Sequence, residues 1–368
     1  MTQVQNTSQK LKIAQVVGNA KTGGVISCVL NFYRHIDRDK FQFDFYTYGP
    51  SVHDEEITAL GGRVFYIPNV LSFFKSVSAM KKHFKAEGYF AVHAHLTTLS
   101  FVPLLAAKRA GVSNRICHAH STSHKSEKVW IVKNTLKYLS KIYPTRLAGC
   151  SKLSNCWLYG KKRGEEAFLL HNAIDLDRFR HDPERSERIK AEHGLSGHKI
   201  IGLIGRFEFQ KNIPFLIDAF ASLALDDTDA RLVLVGYGNE EHAIQKKIEH
   251  YGLQDRVQVL QETRTVENYF DMFDLFVLPS RFEGLPLVAI EAQAMGIPCL
   301  LSDFITNETD VSQTCEFLPI DSFGAWAEKM DEMLKTRDRY DARAQISAAG
   351  YDIRRESKQL ENFYLSLL

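Results

Sequence analysis

The sequence predicts two α/β domains, each built around a doubly wound parallel sheet. The chain has 368 residues, and a single hydrophobic core rarely organises more than about 300. Short apolar segments alternate with helical patterns in both halves, which is typical of βαβ units. A polar, turn-rich stretch at residues 172–183 separates the halves. We therefore expect domains at residues 1–172 and 173–352.

The individual elements follow from the hydrophobic periodicity. In the first half we expect strands near residues 11–18, 41–48, 63–67, 90–95, 115–118 and 147–150, and helices that include residues 25–36, 99–110 and 128–143. In the second half we expect strands near residues 199–204, 231–236, 256–260, 275–279 and 298–301, and helices that include residues 214–224, 240–251 and 287–295. A helix near residues 354–367 closes the chain.

Composition excludes several classes of protein. Hydrophobic residues make up 45% and charged residues 24% of the chain, so disordered and low-complexity proteins are excluded. No apolar run approaches the roughly 20 residues of a membrane-spanning helix, and the first ten residues are unlike a signal peptide. The six cysteines form no C-x-x-C pair, which is typical of buried thiols in a reducing compartment. We expect a cytoplasmic protein.

Charge divides unevenly between the two halves. Residues 1–172 contain 24 basic and 10 acidic residues, a net charge of +14, whereas the remainder contains 22 and 34, a net charge of −12. A basic half favours an anionic partner such as a nucleotide phosphate, an anionic lipid surface or nucleic acid. The sequence contains no zinc-finger, RNP or helix-turn-helix pattern, so we expect no nucleic-acid partner.

The segment at residues 280–296 carries two glutamates eight positions apart, Glu283 and Glu291. A loop containing Gly284 leads from an expected strand into a helix near Pro286, where proline suits the first turn. Free backbone N–H groups at such a helix start bind anions. The two carboxylates could hold hydroxyl groups of a ligand whose phosphate docks between them. The alternative is a pair of solvated helix charges, although the apolar neighbours of Glu291 argue against it.

A second candidate segment, residues 205–212, reads G-R-F-E-F-Q-K-N and follows an apolar strand. Its two cations, Arg206 and Lys211, could neutralise a diphosphate, the arginine as a planar fork and the lysine as a point charge. The alternative is a pair of exposed loop cations.

The first half offers a glycine-containing loop and a group of histidines. Residues 18–24 follow the first strand, and glycines there permit close approach of a ligand. The alternative is a simple strand-to-helix turn. Two H-x-H pairs, at residues 93–95 and 118–120, could suggest zinc ligands. No carboxylate or cysteine pattern accompanies them, so we expect no metal site.

Taken together, these segments resemble the nucleotide-sugar half of glycosyltransferase family 4, whose members have the GT-B fold. The family's E-x7-E motif matches Glu283 and Glu291, and its basic pair matches Arg206 and Lys211. Its pattern L-V-L-V-G-x-G-x-E matches residues 232–240.

The resemblance covers nearly the whole chain. The family's interdomain signature N-G-[IV]-D matches residues 172–175, with Ala173 in place of the usual glycine. The chain looks closest to bacterial capsular and exopolysaccharide transferases, partly through residues 351–353. The implied fold has two Rossmann-like domains that face a central cleft, with a C-terminal helix, residues 353–368, that packs back on the first domain.

The resemblance also implies roles for individual residues. Arg206 and Lys211 would hold the donor diphosphate and stabilise the charge on the leaving group. Glu291 would bind the ribose, Glu283 would face hydroxyls of the transferred sugar, and His120 would approach that sugar, with His118 as the second choice. The implied donor-binding residues are Gly23, Gly24, Gly205, Gly236, Gly284, Leu285 and Glu291. No metal or other cofactor is implied.

The activity that the resemblance implies is retaining transfer of a hexosyl or N-acetylhexosaminyl unit from a nucleotide diphosphate-sugar, with a UDP-sugar favoured. The implied acceptor is a lipid-linked glycan in cell-surface polysaccharide biosynthesis. Two alternatives stay open: a nucleotide-sugar epimerase of the same fold, and a non-catalytic partner of another transferase.

Two basic stretches of the first half suggest contact with a membrane. Residues 123–146 and 71–89 combine lysines with apolar residues at helical spacing. Basic amphipathic helices can lie on anionic membranes. The alternative is that each apolar stripe packs on its own sheet and leaves the lysines in water.

Overall fold

The computed structural model describes residues 10–20, 24–121, 130–261, 265–336 and 338–368. The chain forms two compact units. The first comprises Met1–Ala173 together with Ile353–Leu368, and the second comprises Ile174–Asp352.

The first unit contains a parallel sheet of seven strands among the described residues. The strands are β1 (Leu11–Gly18), β2 (Phe41–Thr47), β3 (Arg63–Tyr66), β4 (Ala91–Ala94), β5 (Asn114–Ala119), β6 (Arg146–Gly149) and β7 (Phe168–Leu169). They lie in the order β3-β2-β1-β4-β5-β6-β7, which reverses between β1 and β4 and so defines a doubly wound sheet.

Helices cover this sheet because their apolar residues recur on one face. In the helix over Phe73–Glu87, for example, Val77, Met80 and Phe84 are buried, and the helix ends at Gly88, whose φ of 61° suits a left-handed cap. The helices that precede the second unit are α1 (Gly24–His35), α2 (Asp54–Ala59), α3 (Phe73–Glu87), α4 (Phe101–Ala110), α5 (Trp130–Leu136), α6 (Lys152–Tyr159) and α7 (Lys161–Glu166).

The second unit repeats the architecture with six parallel strands among the described residues, in the order β10-β9-β8-β11-β12-β13. Its strands are β8 (Lys199–Ile204), β9 (Ala230–Val235), β10 (Val257–Leu260), β11 (Leu275–Leu278), β12 (Cys299–Ser302) and β13 (Cys315–Leu318). Its helices are α8 (Pro183–Glu192), α9 (Ile213–Asp226), α10 (Glu241–His250), α11 (Val266–Met272), α12 (Leu287–Ala294), α13 (Phe323–Thr336) and α14 (Arg343–Ala348). The predicted class, two doubly wound α/β domains, is confirmed.

The last helix, α15 (Ile353–Leu365), belongs to the first unit. Tyr364 lies 5.9 Å from the ring of Phe41, and Phe363 stacks on Phe168 at 4.2 Å between centroids. The buried Glu356 accepts the backbone N–H of His171 at 3.1 Å. These contacts fix the end of the chain to the sheet that its beginning builds.

The predicted helix at residues 128–143 is wrong in extent. Residues 128 and 129 lie outside the described residues, α5 ends at Leu136, and a single 3₁₀ turn follows at Leu139–Lys141. No residue of α5 is fully buried, so tertiary packing gives this short helix little support for a further turn. Within the described parts of the chain, no helix is long and apolar enough to cross a membrane.

Candidate functional site

The strand order of the second sheet reverses between β8 and β11, which are direct neighbours. In open α/β sheets, ligands bind outside the carboxyl ends of the strands at this reversal. The loop after β8 carries Arg206 and Lys211, and the loop after β11 carries Glu283. The topology therefore brings together two segments that the sequence marks separately.

Lys211 and Glu283 form an ion pair at this point, with 2.7 Å between Nζ and Oε1. Ser280 donates its hydroxyl to the same carboxylate oxygen at 3.0 Å, and the Gln210 side-chain amide donates to Oε2 at 2.9 Å. Only 15% of the lysine side chain and 9% of the glutamate side chain are exposed. Three donors therefore hold the carboxylate of Glu283 in place. Its ion pair with Lys211 lies at a largely buried position.

Gln210 ties the two loops together through its backbone as well as its side chain. Its carbonyl accepts the N–H of Arg281 at 2.8 Å, and its amide donates to the carbonyl of Phe282 at 3.0 Å. Asn212, two residues on, is buried in the left-handed conformation with φ of 54° and leads into α9. The roles of Gln210 and Ser280 could not be predicted from the sequence, because they depend on which strands are neighbours.

Arg206 lies in the same loop but is exposed, and no salt bridge joins it to another described residue. The cationic side chain is therefore available to an anionic ligand. The two predicted cations therefore differ in their surroundings. The side chain of Arg206 is open to solvent, whereas Lys211 is already paired with the carboxylate of Glu283.

Two predicted glycines allow the loops after β8 and β9 to approach each other closely. A Cβ built on Gly236 would lie 1.9 Å from the backbone oxygen of Gly205, and one on Gly205 would lie 3.2 Å from Cε of Lys211. Beside Gly236, a cavity of about 400 Å³ opens at the ends of β9 and β10, and His242 and Gln261 are among the residues that line it. That volume is within the range of small-molecule sites.

Helix α12 starts next to the Glu283 loop. Gly284 is exposed, Leu285 is half-buried, and Pro286 is the last residue before the helix. Backbone N–H groups at such a start have no partner within the helix and favour an anion. Glu291 lies on α12 and is half-buried, so it is not a fully solvated charge.

The structure describes some of the site residues predicted in the first unit. Gly23 lies outside the described residues. Gly24 begins α1, and a Cβ placed there would meet nothing within 4 Å. His120 directly follows β5.

His120 belongs to a cluster of four imidazoles on one face of the first sheet. Side chains two apart on a strand share a face, which places His93 with His95 and His118 with His120. The ring centroids within each pair lie 4.3 Å apart. His93 and His95 are hydrogen-bonded to His118 and His120, respectively, at 3.0 and 2.7 Å. Burial lowers the pKa of His120 to about 4 and the pKa values of the other three well below 6.5, so all four rings are neutral at pH 7.

Because the four imidazoles are kept neutral in the folded protein, we expect its free energy of unfolding to fall in weak acid. In the unfolded chain each ring takes up a proton near pH 6.5, whereas the folded pKa values are depressed. The unfolded state therefore binds more protons below pH 6.5, and the free energy of unfolding falls with pH by up to about 1.4 kcal/mol per unit for each ring. Urea titrations at pH 7.5, 6.5 and 5.5 measure this slope, and equal stabilities at the three values would contradict it.

Comparison with known proteins identifies the class. The family described as "Glycosyltransferase Family 4" matches residues 22–178, and "Glycosyl transferases group 1" matches residues 185–352. The putative glycosyltransferase EpsF of Bacillus subtilis is 36% identical over 319 residues, which cover 83% of this chain and 82% of EpsF. The chain belongs to glycosyltransferase family 4 and is a glycosyltransferase.

Two further proteins are similar over most of their length. The Escherichia coli UDP-Gal:alpha-D-GlcNAc-diphosphoundecaprenol alpha-1,3-galactosyltransferase is 25% identical over 350 residues, covering 87% of this chain and 88% of its own. The crystal structure of HepE from Anabaena in complex with UDP and glucose matches with a TM-score of 0.82 at 17% identity, and covers 97% of this chain and all of that one. The second likeness shows that the chain has the GT-B fold.

Proposed function

We propose that this protein is a retaining glycosyltransferase that moves a hexosyl or N-acetylhexosaminyl unit from a UDP-sugar to a lipid-linked glycan in cell-surface polysaccharide biosynthesis. The observation that carries the proposal is the Lys211–Glu283 pair at the strand-order reversal of the second sheet. The Escherichia coli relative, named for transfer from UDP-Gal to a diphosphoundecaprenol-linked sugar, supports the donor and acceptor classes.

The proposed donor site uses charges that are already in place. Lys211 and Arg206 hold the diphosphate, and the backbone N–H groups of Gly284 and Leu285 at the start of α12 bind it from the other side. When the bond to the sugar breaks, negative charge grows on the diphosphate. A lysine fixed by its own carboxylate partner stabilises that charge without rearranging. These groups supply the positive charge for which other transferases use a metal, so we propose no resident metal.

The carboxylates have separate proposed roles. Glu283, held by Ser280 and Gln210, accepts hydrogen bonds from hydroxyls of the transferred sugar. Glu291 on α12 accepts hydrogen bonds from the ribose. The nucleoside occupies the 400 Å³ cavity beside Gly236. His120 of the first unit contacts the transferred sugar. In the proposed retaining step, the bond between the sugar and UDP breaks while the acceptor oxygen bonds to the same carbon from the same face. The proton of the acceptor hydroxyl passes to the departing diphosphate.

A panel of nucleotide-sugars tests the donor class. A ligand that binds only the folded protein raises the unfolding midpoint in proportion to ln(1 + [L]/Kd). We expect UDP-sugars to give larger shifts than GDP- or ADP-sugars at equal concentration. A shift with none of them would contradict the proposal and favour a non-catalytic partner. Conversion of the donor to its epimer without any acceptor would favour the epimerase.

Replacing Glu291 tests the ribose contact. Glu291→Ala should raise the Michaelis constant for the donor about tenfold, because a hydrogen bond to a charged group contributes about 1.5 kcal/mol or more. The matched control is Glu328→Ala, which removes an exposed glutamate from α13 of the same unit. An unchanged donor Michaelis constant in Glu291→Ala would refute the ribose role.

The membrane proposal is carried by residues 130–142 of the first unit. Helix α3 packs Val77, Met80 and Phe84 on the core, which favours the alternative for that stripe, although Phe74 at its start is 85% exposed. In α5 and the turn after it, however, Ile131, Val132, Tyr138 and Ile142 are between 57% and 72% exposed. Lys133, Lys137 and Lys141 lie among them. Exposed apolar side chains interleaved with cations fit an anionic lipid surface.

Co-sedimentation with vesicles checks this contact. We expect binding to vesicles that contain anionic lipid at low salt, and less binding at high salt because the lysine contribution is screened. Ile131→Ser with Ile142→Ser should reduce binding, whereas the control Leu225→Ser, at an exposed apolar position of the second unit, should not. Equal binding to neutral vesicles would contradict the proposal.

A further inference from the structure

Six polar side chains of the first unit form one unbranched chain of hydrogen bonds. It runs from His118 to His93 (3.0 Å), to the hydroxyl of Tyr364 (2.8 Å), to Gln15 (3.1 Å), to His95 (2.8 Å) and to His120 (2.7 Å). Gln15 lies on β1, and Tyr364 lies on α15. His93 and His118 lie on β4 and β5, and His95 and His120 directly follow these two strands. Five of them are buried, and His120 is half-buried.

The placement of the Gln15 amide, with its oxygen toward His95 and its nitrogen toward Tyr364, assigns the protons in one arm of this chain. A neutral imidazole has one donor nitrogen and one acceptor nitrogen. The side-chain oxygen of Gln15 only accepts, so Nε2 of His95 carries the proton between them. Nδ1 of His95 must then accept from Nε2 of His120. His120 is therefore the Nε2–H tautomer, and its Nδ1 has no proton.

The other arm follows by the same argument. The Gln15 amide N–H donates to the oxygen of Tyr364, whose O–H donates to Nδ1 of His93. Nε2–H of His93 then donates to Nδ1 of His118, which leaves the proton of His118 on Nε2. That nitrogen is buried and has no hydrogen-bond partner among the described residues. A cavity of about 10 Å³, lined by the four rings and by apolar side chains, has about the volume of one water, which could accept a hydrogen bond from this N–H.

The chain therefore has two self-consistent states. With the oxygen of Gln15 toward His95, all four rings are Nε2–H; with the amide reversed, all four are Nδ1–H. No single ring changes tautomer without breaking a buried hydrogen bond. Gln15 lies at the junction of the two arms and selects the state.

We propose that Gln15 is a positioning residue that holds His120 in the Nε2–H form, so that its Nδ1 accepts a hydrogen bond from a hydroxyl of the transferred sugar. The contact between His120 and the sugar rests on the proposed function, whereas the tautomer does not.

The same bonds argue against a metal at this cluster. His93, His95 and His118 lie close enough together to suggest one. Both nitrogens of His93 and His95 and one nitrogen of His118 are already engaged in the chain. A cation with three imidazole ligands would have to break bonds that are buried and satisfied.

The tautomers are measured directly by two-bond ¹H–¹⁵N correlation spectra of the full chain with ¹⁵N-labelled histidine at pH 7. His120→Asn assigns the ring. We expect the four clustered rings to be neutral and Nε2–H. In Gln15→Met, His120 should become a mixture of tautomers. In Gln15→Glu it should stay Nε2–H, because a carboxyl oxygen facing His95 still accepts. Gln42→Met, the same change on β2, should leave His120 unaltered.

Kinetics complete the test. Gln15→Met should lower kcat about tenfold with a donor Michaelis constant within twofold of the parent, and Gln15→Glu should restore most of the rate. An Nδ1–H or mixed His120 in the parent, an unaltered His120 in Gln15→Met, or displacement of the ring signals by added Zn²⁺ would overturn the assignment. If His120 in Gln15→Met no longer holds the Nε2–H form but kcat is unchanged, only the contact between His120 and the sugar is wrong. The donor-binding proposal is then unaffected.

Discussion

Replacing Lys211 with alanine should lower the transfer rate by about 10²-fold or more. The loss is expected in kcat, since in the proposed mechanism Lys211 stabilises the charge that develops on the leaving diphosphate. The substitution also leaves the largely buried carboxylate of Glu283 without its cation, although Ser280 and Gln210 still donate to it. Steady-state rates with a saturating UDP-sugar measure the effect.

The matched control is Lys247→Ala. Lys247 is a lysine of the same unit that is also paired with a carboxylate, that of Asp218, but it lies on α10. The Lys247→Ala variant should lose some stability and keep the transfer rate of the parent. If Lys211→Ala retained activity within twofold of the parent while folded, Lys211 would be removed from the site.

Gly236→Ala should have the second large effect, through the backbone rather than through charge. The added Cβ would lie 1.9 Å from the carbonyl oxygen of Gly205, which is part of the backbone and has no flexible end to move aside. Relieving that overlap separates the loops after β8 and β9. We expect a loss of about 1–3 kcal/mol in the free energy of unfolding and a donor affinity reduced at least tenfold.

Gly284→Ala separates crowding from the general effect of adding a methyl group. A Cβ at Gly284 meets nothing within 4 Å, so unfolding should be unchanged within about 0.5 kcal/mol. Denaturant titration and nucleotide binding on the two variants give the comparison. Equal stability of both variants would show that the close approach of the two loops is unimportant.

The fold was predictable where its strands are buried on both faces. The strands of the second sheet near the reversal, β8 and β11, read as continuous apolar runs because helices cover both sides of a parallel sheet. Strand β13 is not predictable in this way, since it lies at the sheet edge and most of its residues are only half-buried. The helix expected at residues 128–143 shows the opposite error. Helical spacing of Val132 and Leu136 predicts a stripe but does not say whether anything covers it.

The candidate site was predictable residue by residue but not as contacts. Gly–Arg and Glu–Gly segments after apolar strands marked Arg206, Lys211 and Glu283 as loop residues at strand ends. That Lys211 bonds Glu283, 72 positions away, depends on β8 and β11 being neighbours, which no local pattern encodes. The histidine chain had a signal in the sequence, since two H-x-H pairs place four rings on one sheet face. Gln15 and Tyr364 complete it from elements distant in sequence and could not be found that way.

A crystal structure of the protein with a bound UDP-sugar is the decisive measurement for the proposed donor site. We expect diphosphate oxygens within about 3 Å of Nζ of Lys211 and of the backbone nitrogens of Gly284 and Leu285, with the ribose near Glu291. A diphosphate bound away from the ends of β8 and β11, with the Lys211–Glu283 pair untouched by ligand, would contradict it.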